Sequence, residues 1–189
     1  MLHQLLLLAI IGIGPARAQD VGTVNPEPLP PLANPNSPPT PARELFARKT
    51  TPFAGPARSI GTYNGGCLEG GMALPLAGPA WQVMRVSRDR YWGNPRLVDF
   101  IERLGEKGKK VGWNGLLIGD MSQPRGGPML NGHASHQIGL DVDIWFTPMP
   151  GHVQSREERE FASATNVVAP DLLDVDANVW TPTYTNLIR

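Results

Sequence analysis

The segment between residues 131 and 146 constrains the fold more than any other part of this sequence. A glycine-flanked loop carries two of the chain's four histidines, His133 and His136, and runs into a stretch in which apolar and polar residues alternate. The apolar positions of that stretch are Leu140, Val142, Ile144 and Phe146. A period of two is typical of a β-strand with one buried face. The pattern therefore predicts a central strand that starts at His136 and carries Asp141 and Asp143 on its polar face.

The rest of the sequence predicts short elements joined by loops. There are 20 prolines and 21 glycines among 189 residues, a composition that favours turns and extended structure. Asn94 can cap a helix that we expect to end at Gly105. The apolar face of this helix contains Leu97, Phe100, Ile101 and Leu104. A capping box formed by Ser155 and Glu158 predicts another helix.

Two short apolar segments, Trp81–Val86 and Leu116–Ile118, predict further strands. Together with the two capped helices and the alternating segment, they indicate an α+β fold. We expect one small antiparallel sheet with flanking helices.

The amino-terminal region divides into two predicted segments. In residues 1–18, an apolar run from Leu5 to Ile13 precedes the small-x-small sequence Ala16-Arg17-Ala18, which predicts a signal peptide cleaved after Ala18. The alternative is a buried apolar segment. The run is too short to span a membrane. Residues 19–44 are rich in proline and predict an extended linker. We therefore expect a periplasmic protein with one domain at residues 45–189 and no membrane span after cleavage.

Charge and cysteine content limit the partners. Lysine plus arginine and aspartate plus glutamate both number 17, so the formal net charge is zero. This balance argues against nucleic acid as a partner, because nucleic-acid binding needs a basic excess. Cys67 is the single cysteine. In an exported protein it indicates either a partner elsewhere or a buried free thiol, and the sequence leaves both open.

The polar residues of the 131–146 segment are candidate metal ligands. His133, His136, Asp141 and Asp143 offer the imidazole and carboxylate groups that zinc sites use. The chain between His136 and Asp143 crosses a turn at Gly139, so their side chains can converge from a loop and a strand. Spacing alone leaves two interpretations: a zinc site, or a hydrogen-bonded polar cluster where the strand begins. The spacing differs from the His-Glu-x-x-His helix of other zinc peptidases.

The same residues resemble a known family. Ser135-His-Gln-Ile-Gly-Leu-Asp-Val-Asp143 is similar to the Ser-x-His-x-x-Gly-x-x-x-Asp signature of D-Ala-D-Ala zinc peptidases, with one residue fewer between serine and histidine. The longer run Gly132–Ile144 resembles one branch, the penicillin-insensitive murein endopeptidases. Gln82-Val-Met-Arg85 and Leu117-Ile-Gly-Asp120 match that branch too. The resemblance covers roughly residues 57–189 and implies a D-Ala-D-Ala metallopeptidase-like fold.

The resemblance also implies a ligand set. Zn²⁺ would be bound by His136 and Asp143, with His133 as a further ligand or an immediate neighbour. A second metal position is implied at Asp171, although Asp174 stands where the family usually has a histidine. The alternative for these two aspartates is a solvated acidic loop.

The implied reaction is hydrolysis of the D-alanyl–diaminopimelate cross-link of peptidoglycan. Penicillin insensitivity would follow because no serine nucleophile is available to a β-lactam. Arg85 and Arg125 are candidates to hold substrate carboxylates, whereas Arg88 is interpreted as an ordinary surface arginine. Two rival functions stay open: a non-catalytic cell-wall-binding relative, and a zinc D-Ala-D-Ala dipeptidase or carboxypeptidase.

The resemblance places further functional residues beyond this sequence. The family has a downstream His-x-His that supplies the last zinc ligand and a proton-transfer histidine, and a downstream cysteine that pairs with the counterpart of Cys67. The helix that starts at Thr181-Pro182 is also short at Arg189. We therefore expect a carboxy-terminally truncated chain that has no identifiable catalytic histidine, binds zinc weakly and has little activity by itself. His152 is the only other histidine of the predicted domain.

Overall fold

The computed structural model describes residues 24–189. The chain is irregular before the first helix. The predicted signal peptide, residues 1–18, lies outside the described residues. The described part of the predicted linker, residues 19–44, forms turns and bends until helix α1, Ala42–Phe46. The linker role and the domain boundary at residue 45 stay predictions.

A β-hairpin follows α1 and later supports the candidate site. Strand β1, Arg58–Thr62, pairs antiparallel with β2, Gly65–Glu69, so that Ile60 lies opposite Cys67. The connecting loop has two residues, 63–64, as is common in hairpins. A second small antiparallel pair consists of β3 (Met72–Ala73) and β6 (Trp92–Gly93).

A four-stranded sheet lies at the centre of the protein. Its spatial order is β4 (Ala77–Gly78), β5 (Trp81–Val83), β7 (Leu116–Ile118) and β8 (Ile144–Trp145). The pair β5–β7 is parallel and the other two pairs are antiparallel. Parallel strands need a crossover connection, which includes the long helix α2, Pro95–Lys110. The predicted α+β fold is confirmed, and the parallel pair is an addition to it.

Helix α2 starts where the sequence predicted but ends later. The Asn94 side chain caps it by accepting a hydrogen bond from the Arg96 amide at 3.1 Å. The helix does not end at Gly105 but continues to Lys110. Gly105 is needed for packing instead, because a Cβ at this position would overlap the Ala80 carbonyl oxygen. The helix therefore approaches the loop before β5 closely at its middle.

Two further helices follow α2 in the chain. Helix α3, Arg156–Phe161, begins with the predicted capping box. Helix α4, Pro182–Ile188, buries Tyr184 and Leu187, and the Tyr184 ring packs edge-on against Trp113 at 5.4 Å. Among the described residues, no helix has the length and apolar character needed to cross a bilayer.

The predicted central strand at residues 140–146 is shorter than expected and lies elsewhere in the sheet. Only Ile144–Trp145 forms regular strand β8, at the edge beside β7. His136 does not start a strand, since its φ of 64° lies in the left-handed region. Leu140 is 48% exposed. Because β7 has only three residues, it offers a regular partner to only a short part of the alternating segment.

We expect the substitution Ile101→Ala on α2 to lower the free energy of unfolding by about 2–5 kcal/mol. Ile101 is completely buried in the core, so its removal leaves a cavity. Phe100→Ala is the matched control on the same helix, because Phe100 is 48% exposed and its loss should cost much less. Urea unfolding of the two variants measures the difference, and equal losses would contradict this description of α2.

Candidate metal centre

His136 lies in a turn that is held by hydrogen bonds to Asp141 and to the β1–β2 hairpin. A positive φ is uncommon for a residue other than glycine and needs support from its surroundings. The His136 amide donates to Asp141 Oδ2 at 3.1 Å. The next residue, Gln137, donates its amide to the Tyr63 carbonyl and accepts from the Gly66 amide, each at 3.2 Å. The β1–β2 hairpin thus holds this turn in place.

Three side chains from this region converge into what we call the His-His-Asp cluster: His133, His136 and Asp143. Each offers one ligand atom, and these atoms lie within 4.8 Å of one another. His133 Nε2 is 3.4 Å from Asp143 Oδ2, and His136 Nε2 is 3.5 Å from Asp143 Oδ1. In tetrahedral zinc sites with bonds of about 2.0–2.1 Å, neighbouring ligand atoms are roughly 3.3 Å apart. The two histidines approach different oxygens of Asp143 at about this distance, and the three side chains could hold a metal ion.

The burial of His136 gives an independent indication of a missing partner. Its side chain is 3% exposed, and neither ring nitrogen has a hydrogen bond of good geometry. Asp141 Oδ2 is only 2.9 Å from Nδ1, but it is poorly directed for a hydrogen bond. A buried polar atom without a partner costs about 1–3 kcal/mol. A cation bound at Nε2 would supply that partner.

The charges around the cluster favour a cation. Burial lowers the pKa of the His136 imidazole, but the neighbouring carboxylates outweigh burial and raise this pKa above its ordinary value. These carboxylates belong to Asp143, Asp141 and Asp120. Burial raises the pKa of Asp143, but the close contact of this carboxylate with the His136 ring outweighs burial and lowers it. Asp143 is therefore ready to bind a metal, and a proton and a metal compete for His136.

His133 and Asp143 of the cluster line a cleft of about 750 Å³. The side chains of His133 and Asp143 are each 42% exposed, whereas that of His136 is 3% exposed. Trp145 and residues 164–168 also line the cleft. Pockets of this volume accept small ligands and peptide segments. A molecule in the cleft would approach the cluster from the side of His133 and Asp143.

Arg85 and Arg125, the two arginines predicted to bind substrate carboxylates, lie in different cavities. Arg85 lines the cleft, where its guanidinium lies over the Trp145 ring at 5.1 Å and donates to the Glu160 carbonyl. Arg125 lies over the Phe53 ring at 5.5 Å and lines a different, more apolar cavity. Arg85 therefore shares a cleft with His133 and Asp143, and Arg125 does not.

Asp171 and Cys67 also lie away from the cluster. Asp171 is exposed, and its Oδ1 accepts a hydrogen bond from the Leu173 amide. Asp174 is exposed as well, and its Oδ1 accepts a hydrogen bond from the Val175 amide. The second metal position thus stays a prediction. Cys67 is a half-buried free thiol among the described residues.

A group that sequence reasoning did not assign lies next to the cluster: Asp120 with Arg88 and Arg90. Asp120 is 4% exposed at the end of β7. Arg88 Nη1 lies 3.2 Å from both carboxylate oxygens, and Arg90 Nη1 lies 2.8 Å from Oδ2. The interpretation of Arg88 as an ordinary surface arginine was wrong, because its side chain is 12% exposed and paired with a buried carboxylate. The available signal was an aspartate two residues after an entirely apolar strand.

Comparison with known proteins identifies the family. The family model described as penicillin-insensitive murein endopeptidase matches residues 59–189. The chain belongs to this family. The resemblance seen in the sequence is thereby confirmed.

Curated relatives agree with this assignment. The chain is similar to proteins named penicillin-insensitive murein endopeptidase from Klebsiella pneumoniae, Yersinia enterocolitica and Haemophilus influenzae. The identities are 44%, 43% and 40% over 140, 140 and 142 residues. These matches cover 74%, 74% and 71% of this chain, but only 51%, 50% and 47% of the relatives. The chain spans about half the length of the curated relatives it matches.

We predict that His136→Ala and Asp143→Ala each remove zinc binding by the cluster, and that His133→Ala weakens it. Each substitution deletes one of the three converging donors. Isothermal titration of the metal-free protein with zinc measures the effect. His152→Ala is the control, because His152 is exposed and lies near Glu158 rather than the cluster. Unchanged zinc binding in the His136 or Asp143 variant would refute the site.

Proposed function

We propose that the protein is a zinc-dependent murein D,D-endopeptidase that hydrolyses D-alanyl–diaminopimelate cross-links in peptidoglycan. The observation that carries the proposal is the His-His-Asp cluster, which is open to a cleft of about 750 Å³. Membership of the murein endopeptidase family supports the same substrate class. An exported, periplasmic location follows from such a substrate and from the predicted signal peptide.

The donors of the cluster have different tasks in this proposal. Zinc bound there supplies Lewis-acid chemistry to an amide carbonyl and to water. His136 is the shielded ligand, fixed by the hairpin and the Asp141 contact. His133 and Asp143 hold the side that faces the cleft. The cleft wall, not a nucleophilic side chain, would then position the scissile amide near the cluster.

Arg85 is the candidate for attracting the acidic part of the substrate. Its guanidinium is buried in the wall of the cleft and bound to backbone carbonyls, so it contributes a fixed positive charge. Diaminopimelate carries carboxylates close to the cross-link, and a fixed cation favours their approach. Arg125 stays a weaker candidate, because its cavity is separate from the cleft.

The test is an assay of the protein expressed from its complete gene on purified cross-linked muropeptide dimers. We expect zinc-dependent conversion of dimers to monomers, detected by liquid chromatography and mass spectrometry. A chelator should abolish turnover, and penicillin should leave it unchanged. His136→Ala should reduce turnover to background, whereas the control His152→Ala should not.

Two other outcomes would contradict this proposal and support one of the two alternative functions. Release of D-alanine or D-Ala-D-Ala from uncross-linked substrates, with intact dimers, would indicate a carboxypeptidase or dipeptidase. Zinc-dependent binding of muropeptides without cleavage of either substrate would indicate a non-catalytic cell-wall-binding protein. Running both substrates in parallel distinguishes these cases.

A further inference from the structure

Asp120 is a buried carboxylate at the edge of the cluster, and two cations fix it. Its side chain is 3% exposed. Arg88 approaches both of its oxygens at 3.2 Å, and Arg90 approaches Oδ2 at 2.8 Å. Charge-assisted hydrogen bonds of this kind are among the strongest in proteins. The Asp120 carboxylate is thus a rigid feature of the cleft wall.

This rigid carboxylate faces the least constrained donor of the cluster. The His133 ring is 42% exposed and follows Gly132, whose φ is 85°. Its Nε2 lies 3.7 Å from Asp120 Oδ2 and 3.4 Å from Asp143 Oδ2. The first distance is longer than a direct hydrogen bond. The Asp120 carboxylate therefore lies beside the His133 ring without bonding to it.

The backbone joins Asp120 to the other side of the cluster. The Asp143 amide donates to the Asp120 carbonyl at 2.9 Å, and the Gly119 amide donates to the Asp143 carbonyl at 2.7 Å. A single residue therefore faces His133 through its side chain and holds Asp143 through its main chain.

Arg90 connects the same carboxylate to the His133 loop. Its Nη2 donates to the Asn131 carbonyl at 3.0 Å and to Asn131 Oδ1 at 2.8 Å. Because Asn131 is two residues before His133, Arg90 limits the positions that this loop can occupy. Arg90 thus links the fixed carboxylate of Asp120 to the loop that carries His133.

We infer that Asp120, bound to Arg88 and Arg90, is a positioning residue that holds the loop carrying His133 in place for metal binding. An exposed histidine on a glycine-flanked loop loses conformational entropy when it binds a metal. A loop already held by Arg90 and Asp120 loses less. Mutation of residues that support metal ligands typically changes metal affinity by about 10–100-fold. The inference rests on the zinc binding of the proposed function but not on its hydrolytic activity.

The decisive experiment is a double-mutant cycle on zinc affinity. Asp120→Asn keeps the shape of the side chain and removes its charge, and we expect the zinc Kd to rise about 10–100-fold. If Asp120 acts through His133, the same substitution should have no further effect in the His133→Ala background.

Controls separate positioning from general destabilisation. Asp99→Asn removes an exposed carboxylate from α2 and should leave zinc affinity unchanged. Ile101→Ala should lower stability without changing zinc affinity. Arg90→Lys provides a second test if Asp120→Asn fails to fold. A lysine keeps the charge but cannot form the forked contact to Asp120 and Asn131. Its loss of affinity should also disappear in the His133→Ala background.

Two results would overturn the inference. An unchanged zinc Kd in Asp120→Asn and Arg90→Lys would show that the carboxylate does not act on the cluster. An equal loss with and without His133 would show that Asp120 contacts the metal directly or acts by another route. Because the measurement is zinc affinity alone, it stands even if the muropeptide assay shows no turnover.

Discussion

The candidate site depends on one backbone contact, between the end of β7 and Asp143. β7 is completely buried between β5 and β8, so its end is a fixed point. The two hydrogen bonds that link Gly119 and Asp120 to Asp143 transfer that rigidity to a metal ligand. A Cβ at Gly119 would crowd the Trp145 ring and the Asp143 side chain, so only glycine permits the approach. Without this contact, Asp143 would lie on a loop with no defined distance to the histidines.

The three donors of the cluster are held with different rigidity. Asp143 is fixed by the sheet, and His136 by the β1–β2 hairpin through Gln137. The loop of His133 is instead held through Asn131 by Arg90, which also binds Asp120. A metal site in which each ligand is supported by a separate element stays ordered when one element moves. A site for catalysis also needs an accessible side, and the most weakly supported ligand lies on that side.

Local patterns in the sequence predicted the parts of the fold that depend on neighbouring residues. The Asn94 cap, the Ser155 capping box and the short strand β7 are confirmed, and the histidines and Asp143 do converge. The failures are long-range effects. Gly105 packs against Ala80 instead of ending α2, and this contact cannot be deduced from helix signals. The edge position of β8 and the burial of Arg88 likewise depend on pairing between distant segments.

The charge balance of the site explains why these carboxylates can lie close together. Asp120 is neutralised by two arginines, so the negative charge left near the histidines comes mainly from Asp141 and Asp143. Asp141 is occupied by the His136 amide, which supports the strained turn. Asp143 is the carboxylate with exposed oxygens between the two rings. Two uncompensated carboxylates beside neutral imidazoles match the charge of a divalent cation. The same two carboxylates raise the pKa of His136, so a proton competes more strongly with a metal for this imidazole.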